Sequence, residues 1–457
     1  MHIHRCKHCD MQACYHWRRC YHWCFFSGDK GYPAFRDMGW ESCEFYKEEG
    51  ERMNNQQVFD SFVKLKRYCE AEQYKGWDPY DGLNSKVFQA LPYFKKSALW
   101  RLVVIQGFKR CPVNLRRIAA VPKEHNAKGI GLFLQGYCNL VKAVRKNPAL
   151  AASIGSEEEL TGKVKEVAEL LISLRSEGDY HGACWGYNFD WQARRLFLFP
   201  KGTPTVVATN FCATALMEAY EVTKEKRFLD VALTAAEFVK EDLHRYECEG
   251  GFLFSYSKLP GNDTVYNASL LGSRLLSYCY KYTGNEEYRQ LAEQSVAACC
   301  KGQREDGAWV YGLLPVQSWV DSFHTGYNLD GLIAYEEQTG DTKYHEYIEK
   351  GFKYYIENFF EADGTPKYYD KQMYPIDIHC PGQLMVTLAR LGKFEEYEVL
   401  AGMVMDWTIR NMQDEKGYYY YQLKKGVSSK ISYMRWSNAF MFCAMSYYLL
   451  EHELPRI

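Results

Sequence analysis

Apolar residues recur along the chain in pairs of helix-length segments joined by a short turn. Four such pairs share one order: an apolar helix, a short turn, a charged pair, an aromatic residue and a second helix. The aromatic positions lie 60, 56 and 53 residues apart, at Phe228, Tyr288, Tyr344 and Tyr397. A Gly-marked segment with strand character follows each pair. A unit of two helices and a short β-hairpin, repeated at this period, must bury its apolar face against neighbouring units.

The two helices of each unit differ in the width of their apolar face. The second helix, for example residues 227–243, has an apolar stripe and a charged back, which is typical of a helix exposed on one side. The first helix, for example residues 206–220, is apolar or small on nearly all sides. That pattern is typical of an enclosed inner helix.

Fainter helix pairs precede these units, and one more helix ends the chain. We therefore predict an all-α fold over residues 55–457, an (α/α)6-type barrel or toroid of helical hairpins with short β-hairpin loops. The last helix, residues 431–452, would close the ring against the first. The fainter pairs are residues 55–74 with 85–108, and residues 128–146 with 157–176.

Polar residues fall at the starts of the inner helices, each directly after a Gly-rich loop. Because the hairpins run the same way round the ring, these helix starts should converge on one funnel. An ionisable side chain is rarely buried without a partner or a task. The candidate catalytic residues are therefore Asp321, His324, Tyr327, Asp330, Asp377 and His379.

Helix capping is the competing interpretation for part of this set. A carboxylate before an apolar helix, such as Asp321 or Asp377, accepts hydrogen bonds from free backbone N–H groups and contributes about 1 kcal/mol. Capping does not explain His324, Tyr327 and Asp330. These three lie inside the predicted helix at a spacing that places them on one face.

Aromatic, polar and cationic residues in four regions are candidates for sugar binding. Tyr and Trp offer a flat apolar face with a polar edge, and guanidinium groups bind carboxylates in a bidentate manner. The competing interpretation for residues 184–197 is a rigid aromatic loop that seals the ring. For Tyr266 and Asn267 it is a satisfied polar group in the core. The candidates are Trp185, Tyr187, Asp190, Trp191, Arg194, Arg195, Asn210, Tyr266, Asn267, Arg435 and Trp436. The turn-rich segment 74–88 is interpreted as a structural corner.

The composition is that of a folded protein with a high aromatic content. The chain has 37 Tyr, 25 Phe and 11 Trp, and its formal net charge of −1 gives no global field that would attract nucleic acid or an anionic membrane. No apolar run approaches the ~20 residues of a membrane span. The N-terminus lacks the apolar core of a signal peptide, and in the main body the Cys residues are scattered singly. We expect a cytoplasmic protein, and the sequence does not indicate its oligomeric state.

Residues 1–54 are predicted to form a separate Cys/His-rich extension. Ten of the first 24 residues are Cys or His. Cys6 and Cys9 form one close pair and Cys20 and Cys24 a second, a set that would suit a structural zinc ion. The competing interpretation is a basic, aromatic extension without metal. For the barrel itself we expect no cofactor.

Four motifs carry a resemblance to a known group of proteins. They are YKGWDPYDGLNS, CWGYNFDWQ, SFHTGYNLDGL and YPIDIHCPGQ, between about residue 70 and the C-terminus. The chain resembles a poorly characterised bacterial family that accompanies polysaccharide-biosynthesis genes and is similar to the six-hairpin glycosidase superfamily. The resemblance implies an α/α toroid and a carbohydrate substrate. The motif positions that would carry the chemistry are Asp321, His324, Tyr327, Asp377 and His379.

The resemblance and the candidate residues leave several functions open. The first is a glycan-active enzyme, acting by hydrolysis with two carboxylates or by elimination or C5 epimerisation of a uronic acid with a base. The abundance of Tyr, His and Arg favours an anionic sugar. The second is a glycan-binding or scaffolding toroid without turnover. A terpene-cyclase-like enzyme and a zinc-dependent enzyme using His379 and Cys380 are less favoured, because the acid-rich or metal-ligand clusters they need do not occur in the barrel sequence.

Overall fold

The computed structural model describes residues 44–192 and 198–452, with side chains from residue 55 onward. Its helices are α1 (Glu44–Ala71), α2 (Lys86–Gln89), α3 (Pro92–Lys96), α4 (Ala98–Arg110), α5 (Ala127–Lys146), α6 (Ala151–Ile154), α7 (Glu157–Ser173), α8 (Val206–Thr223), α9 (Lys226–Glu237), α10 (Tyr266–Thr283), α11 (Glu286–Lys301), α12 (Ser322–Thr339), α13 (His345–Phe359), α14 (His379–Arg390), α15 (Glu398–Met412) and α16 (Phe440–Glu451).

Short antiparallel strand pairs connect the helical hairpins. Strands β1 (Trp191–Gln192) and β2 (Leu198–Phe199) pair with each other, as do β3 (Arg245–Cys248) and β4 (Gly251–Phe254). Strand β5 (Ile376–Asp377) pairs with β6 (Gln422–Leu423), so it joins two different inter-hairpin loops.

Six inner helices form a closed ring. Helices α5, α8, α10, α12, α14 and α16 pack in this order, each against the next, and α16 packs against α5. A π-helical turn, Met434–Ala439, leads directly into α16. The second ring consists of α7, α9, α11, α13, α15 and α1. The predicted (α/α)6-type toroid is therefore confirmed, and the last helix closes the ring as the sequence indicates.

The burial of each helix follows the predicted division into inner and outer. Helix α5 is buried without interruption from Ala127 to Val141, as an enclosed helix must be. Helix α13 instead buries one stripe, which includes Ile348, Phe352 and Tyr355. Within the described residues, no helix is long and apolar enough to cross a bilayer.

The predicted pairing of residues 55–74 with 85–108 is not observed. Helix α1 packs on α15 and α16 and so completes the sixth hairpin from the opposite end of the chain. Residues 86–110 form three short helices instead. A continuous helix is prevented there because Pro92 opens α3 and Ser97 is extended between α3 and α4.

The hydrogen bonds that join the last unit to helix α1 have an equivalent in another unit. The amide of Gln303 donates to the carbonyl of Gly307 at 3.1 Å and to that of Tyr347 in α13 at 2.9 Å. Gln413 makes the same contacts with Gly417 at 3.1 Å and with Ser61 in α1 at 3.0 Å. Helix α1 therefore occupies the position of an ordinary outer helix.

Candidate functional site

The first turns of the inner helices meet at one end of the ring, as the sequence predicts. We call this end the mouth. The ring of Trp436, from the last inner helix, lies with its centroid 4.3 Å from that of His379 and 6.1 Å from that of Phe323. Phe211 of α8 lies 5.5 Å from Tyr327 of α12. Side chains from segments more than 200 residues apart therefore share one space.

Asp321 and His324 form a hydrogen-bonded pair at the mouth. Asp321 caps α12 by accepting from the backbone N–H of His324 at 3.1 Å, and its other oxygen accepts from His324 Nδ1 at 2.7 Å and from Trp319 Nε1 at 3.0 Å. The capping and functional interpretations therefore describe the same residue. The Asp321 side chain is fully buried, whereas that of His324 is 20% exposed.

The orientation of His324 leaves its second ring nitrogen available. An ionised carboxylate can only accept, so in the neutral imidazole Nδ1 carries the proton and Nε2 holds the lone pair. Among the described residues, no group forms a hydrogen bond with Nε2. Tyr311 packs with its edge against the imidazole, with centroids 4.8 Å apart. The pair therefore presents an oriented base to the mouth.

Asp377 organises the neighbouring helix start. Its two oxygens accept from the backbone N–H of His379 at 3.0 Å, from Trp436 Nε1 at 2.9 Å and from Gln422 Nε2 at 2.7 Å. The residue is fully buried. His379 stacks on Phe440, and its Nδ1 is buried without a hydrogen-bond partner. Burial lowers the pKa of His379 to about 4, against the opposing effect of Asp377.

Lys128 lies at the floor of the mouth and was not among the predicted site residues. Its Nζ is 3.3 Å from the hydroxyl of Tyr327 and 4.2 Å from the ring centroid of Phe211. Burial lowers the Lys128 pKa well below its ordinary value, and the nearby Arg435 lowers it further. Burial likewise raises the pKa of Tyr327 well above its ordinary value. The phenol of Tyr327 therefore keeps its proton and can donate a hydrogen bond, and the buried Lys128 amine is held in its charged form less strongly than an exposed lysine.

Arg435 does not present a free guanidinium to the mouth. Its Nε and one terminal nitrogen bind the two carboxylate oxygens of Asp78 at 2.5 and 2.8 Å. The corner containing Asp78 is itself held by Arg116, which binds the Asp81 carboxylate at 2.7 Å and the Asp78 carbonyl at 2.8 Å. Segment 74–88 is therefore a structural corner, as predicted, and Arg435 anchors it to the ring.

Loops and helix starts at the mouth contribute partly exposed aromatic side chains. Tyr80 contacts Trp436 with ring centroids 5.6 Å apart, and the hydroxyls of Tyr187 and Tyr256 are 3.0 Å apart. Tyr311 stacks on Trp319 at 4.5 Å. The partly exposed set is Tyr80, Tyr187, Trp191, Phe211, Tyr256, Tyr311, Trp319, Tyr368 and Trp436. Such rings provide the apolar faces that stack on sugars.

Asp330 and Asn210 lie further down the ring, within a separate polar cluster. Asp330 accepts from Gln383 Nε2 at 3.0 Å and from Thr387 Oγ1 at 3.2 Å, and it lies 3.7 Å from Arg390 Nε. Burial raises its pKa, although Arg390 and Arg274 oppose that effect. The side-chain oxygen of Asn210 accepts from Arg274 at 2.9 Å. These contacts use Asp330 and Asn210 in helix packing rather than at the mouth.

Trp185 is placed in the core rather than at the mouth. It is fully buried, and its Nε1 donates to the carbonyl of Leu171 in α7 at 2.8 Å. Trp309 makes the equivalent bond to Cys299 in α11 at 2.9 Å. Trp185 and Trp309 therefore each join a loop to the outer helix of their own unit, which explains the presence of Trp185 without a ligand.

The remaining candidates divide between rim, turn and core. Trp191 lies at the rim and stacks on Phe199, with centroids 5.0 Å apart. Asp190 accepts from the backbone N–H of Lys201 at 2.7 Å and so stabilises the β1–β2 connection. Tyr266 packs against the helix α11 end, and Asn267 is buried on the α10 face that also carries Arg274. Arg194, Arg195 and the predicted zinc ligands Cys6, Cys9, Cys20 and Cys24 lie outside the described residues.

Solved structures with a similar fold act on carbohydrates. The chain is similar to cellobiose 2-epimerase from Bacillus thermoamylovorans B4167, with a TM-score of 0.53 and 13% identity over 72% of this chain and 90% of that chain. It is similar to an unsaturated glucuronyl hydrolase specific for heparin, with a TM-score of 0.54 and 11% identity over 86% and 96% of the two chains. For a GH76 alpha-mannanase from Bacteroides thetaiotaomicron the values are 0.51 and 13%, over 71% and 85%.

The likeness to these structures confirms the α/α toroid fold that the sequence motifs imply. At 11–13% identity the likeness concerns the fold alone. No family model and no curated protein matches the chain.

Proposed function

We propose that this protein is a carbohydrate-active enzyme that moves a proton at a sugar carbon, with His324 as the base. The observation that carries the proposal is the oriented, partly exposed His324 imidazole at a mouth lined with aromatic side chains. The fold similarity to carbohydrate-active enzymes supports a glycan substrate. The association with polysaccharide biosynthesis stays a prediction.

The carboxylates at the mouth favour proton transfer over hydrolysis by a carboxylate pair. Hydrolysis requires two carboxyl groups that reach the glycosidic bond. Both Asp321 and Asp377 have fully buried side chains, and each accepts three hydrogen bonds from neighbouring N–H groups. Their hydrogen bonds orient His324 and Trp436. Neither carboxylate is positioned to act directly on a substrate.

Proton removal from a carbon also requires groups that stabilise the negative charge that develops. Lys128 and Tyr327 can supply this stabilisation. Removing a proton from a carbon next to a carbonyl group places negative charge on the carbonyl oxygen. A phenol that keeps its proton can donate to that oxygen, and a nearby amine gains a proton more readily as the charge develops. Such stabilisation is stronger in a buried site than in water. His324 and Tyr327 lie one helical turn apart, with ring centroids separated by 6.1 Å.

The substrate that fits this arrangement best is a uronic acid within a glycan. Its carboxylate is the carbonyl group next to the C5 hydrogen, and the Lys128 amine, which forms no ion pair within the described residues, can donate a hydrogen bond to that carboxylate. Abstraction of the C5 proton by His324 leads to epimerisation if the proton returns on the other face. It leads to elimination if the bond to the neighbouring sugar breaks. We propose this pair of outcomes for one site, and the products distinguish them.

Solvent deuterium tests the proposal directly. The protein is incubated in D2O with oligouronides and, separately, with neutral oligosaccharides, and the sugars are followed by NMR and by the absorbance of an unsaturated product. We expect deuterium at C5 or a new double bond in the oligouronides, and neither with His324→Gln. His345→Gln is the matched control, because His345 is an exposed histidine of the outer helix α13.

Other outcomes would decide against it. Hydrolysis without deuterium incorporation would contradict the assignment of His324 as a carbon base. Exchange in the neutral sugars alone would contradict the uronic acid. Binding without any exchange would favour the non-catalytic glycan-binding toroid.

A further inference from the structure

A group of short helices beside the mouth carries an exposed apolar surface. Of sixteen large apolar side chains that are exposed in the described part of the chain, ten fall between Val87 and Ile118. The exposed fraction is 88% for Tyr93, 67% for Leu99 and 44% for Trp100. Leu99, Trp100 and Val103 share one face of α4, and Phe94 contacts Trp100 with centroids 4.9 Å apart. We call residues 86–118 the basic-apolar surface. A concentration of exposed apolar groups indicates an interaction surface.

The same segment is strongly cationic. Residues 82–123 contain nine Lys and Arg residues and no Asp or Glu, in a chain whose formal net charge is −1. Five of the nine are exposed and form no ion pair within the described residues: Lys86, Lys95, Lys96, Arg110 and Arg117. Lys424 adds to this charge from a neighbouring loop. Burial lowers its pKa, and the proximity of Lys109 and Arg110 lowers it further.

The charge pattern discriminates between partners. A second copy bound through the same surface would place cations against cations, because a two-fold interface pairs a patch with itself. An anionic lipid bilayer offers phosphate groups to the Lys and Arg side chains and an apolar layer to Trp, Phe and Leu. Tyr93 and Trp100 also have the amphipathic rings that occupy the headgroup region of membranes.

We propose that the basic-apolar surface binds the surface of an anionic lipid bilayer. The segment is fixed to the barrel beside the mouth: Lys109 Nζ contacts the Tyr80 hydroxyl at 2.6 Å, and Arg101 Nε donates to Gln192 at 2.8 Å. Binding therefore brings the mouth close to the lipid headgroups. This proposal rests on the surface alone and does not depend on the activity of the mouth.

Vesicle co-sedimentation of the full chain tests the proposal. We expect binding to phosphatidylcholine vesicles that contain phosphatidylglycerol, little binding to pure phosphatidylcholine, and weaker binding as salt is raised. The double variant Lys95→Glu with Lys96→Glu should lower the affinity at least about 30-fold, and Trp100→Ser should lower it as well. The control is Lys226→Glu with Lys301→Glu, which changes exposed lysines of the outer helices α9 and α11.

Three results would overturn the proposal. They are no binding to anionic vesicles at low salt, binding that is unchanged in Lys95→Glu with Lys96→Glu, and self-association that Trp100→Ser abolishes. The last result, measured by sedimentation velocity without lipid, would assign the surface to a second copy of the chain.

Discussion

The mouth and the polar cluster halfway down the ring both carry ionisable residues of helix α12. These residues differ in solvent exposure and in the hydrogen-bonding groups that remain free. At the mouth, His324 is oriented by Asp321 through one ring nitrogen and keeps 20% of its side chain exposed. In the inner cluster, Asp330 is 6% exposed and its oxygens accept from Gln383 and Thr387. Solvent access and unused hydrogen-bonding capacity therefore separate a candidate site from a packing network.

The difference also concerns stability. Asp330 offsets the charge of the buried Arg390 and Arg274, so its removal would take away one of the carboxylates that stabilise these cations. Lys128 at the mouth forms no ion pair within the described residues, and burial disfavours its charged form. The polar groups of the inner cluster are thus expected to stabilise the protein, whereas Lys128 at the mouth is retained at a cost in stability.

The largest expected effect is on turnover at the mouth. Replacement of His324 by Gln should lower kcat by about 10³-fold, since general base catalysis contributes about 10²–10⁴-fold. The melting temperature should change little because the side chain is partly exposed. Steady-state kinetics of His324→Gln beside His345→Gln measure this. Full activity in His324→Gln would show that His324 is not the catalytic base.

The inner cluster should show the opposite behaviour. Asp330→Ala should lower the free energy of unfolding by about 4 kcal/mol, because it removes a buried carboxylate that offsets two buried cations. The kcat of the folded fraction should stay close to that of the wild type. Urea unfolding and kinetics below the transition measure the two quantities. Retained stability together with lost activity would show that Asp330 acts in the catalytic site and not in helix packing.

The depressed pKa of His379 predicts a dependence of stability on pH. An unfolded histidine binds a proton below about pH 6.5, whereas the folded protein binds it only near pH 4. Stability is therefore fully present above pH 6.5 and is lost as the pH falls towards 4. This residue contributes a loss of about 3 kcal/mol.

The measurement compares unfolding of the wild type and His379→Phe between pH 7 and pH 4. The variant should show a shallower decline, since Phe preserves the stacking on Phe440 and cannot titrate. Parallel curves for the two proteins would show that His379 is not buried in its neutral form.

The smallest of these effects concerns Lys128. Lys128→Met should lower kcat by about 10²-fold, the effect of losing one group that stabilises developing charge. Stability at pH 7 should be unchanged or higher, because a buried amine is replaced by an apolar chain of similar length. A loss of stability with unchanged kcat would place Lys128 with the inner cluster instead.

The ring could be predicted because its signals are local and repeated. Helix length, one-sided or all-round apolarity and the period of the aromatic residues each specify a unit, and identical units have only a few ways to pack. The convergence of Asp321, Asp377 and Trp436 followed from that geometry. The predicted pairing of residues 55–74 with 85–108 was wrong. That segment lacks the repeat period that identified the other units.

The partners of individual side chains could not be predicted in this way. Arg435 and Asp78 are 357 positions apart, so nothing local distinguishes an arginine with a buried partner from a free one. Trp185 could have been recognised as structural from its equivalence to Trp309, because each follows an outer helix and lies two positions before a Tyr. The chain-wide net charge likewise concealed the local cationic excess of residues 82–123.

A crystal structure with a bound oligouronide is the most direct test that the mouth is the glycan site. We predict the sugar carboxylate within hydrogen-bond distance of Tyr327 Oη and Lys128 Nζ, C5 next to His324 Nε2, and a ring face against Trp436 or Tyr187. A sugar bound elsewhere on the protein, with the mouth unchanged, would contradict the central claim.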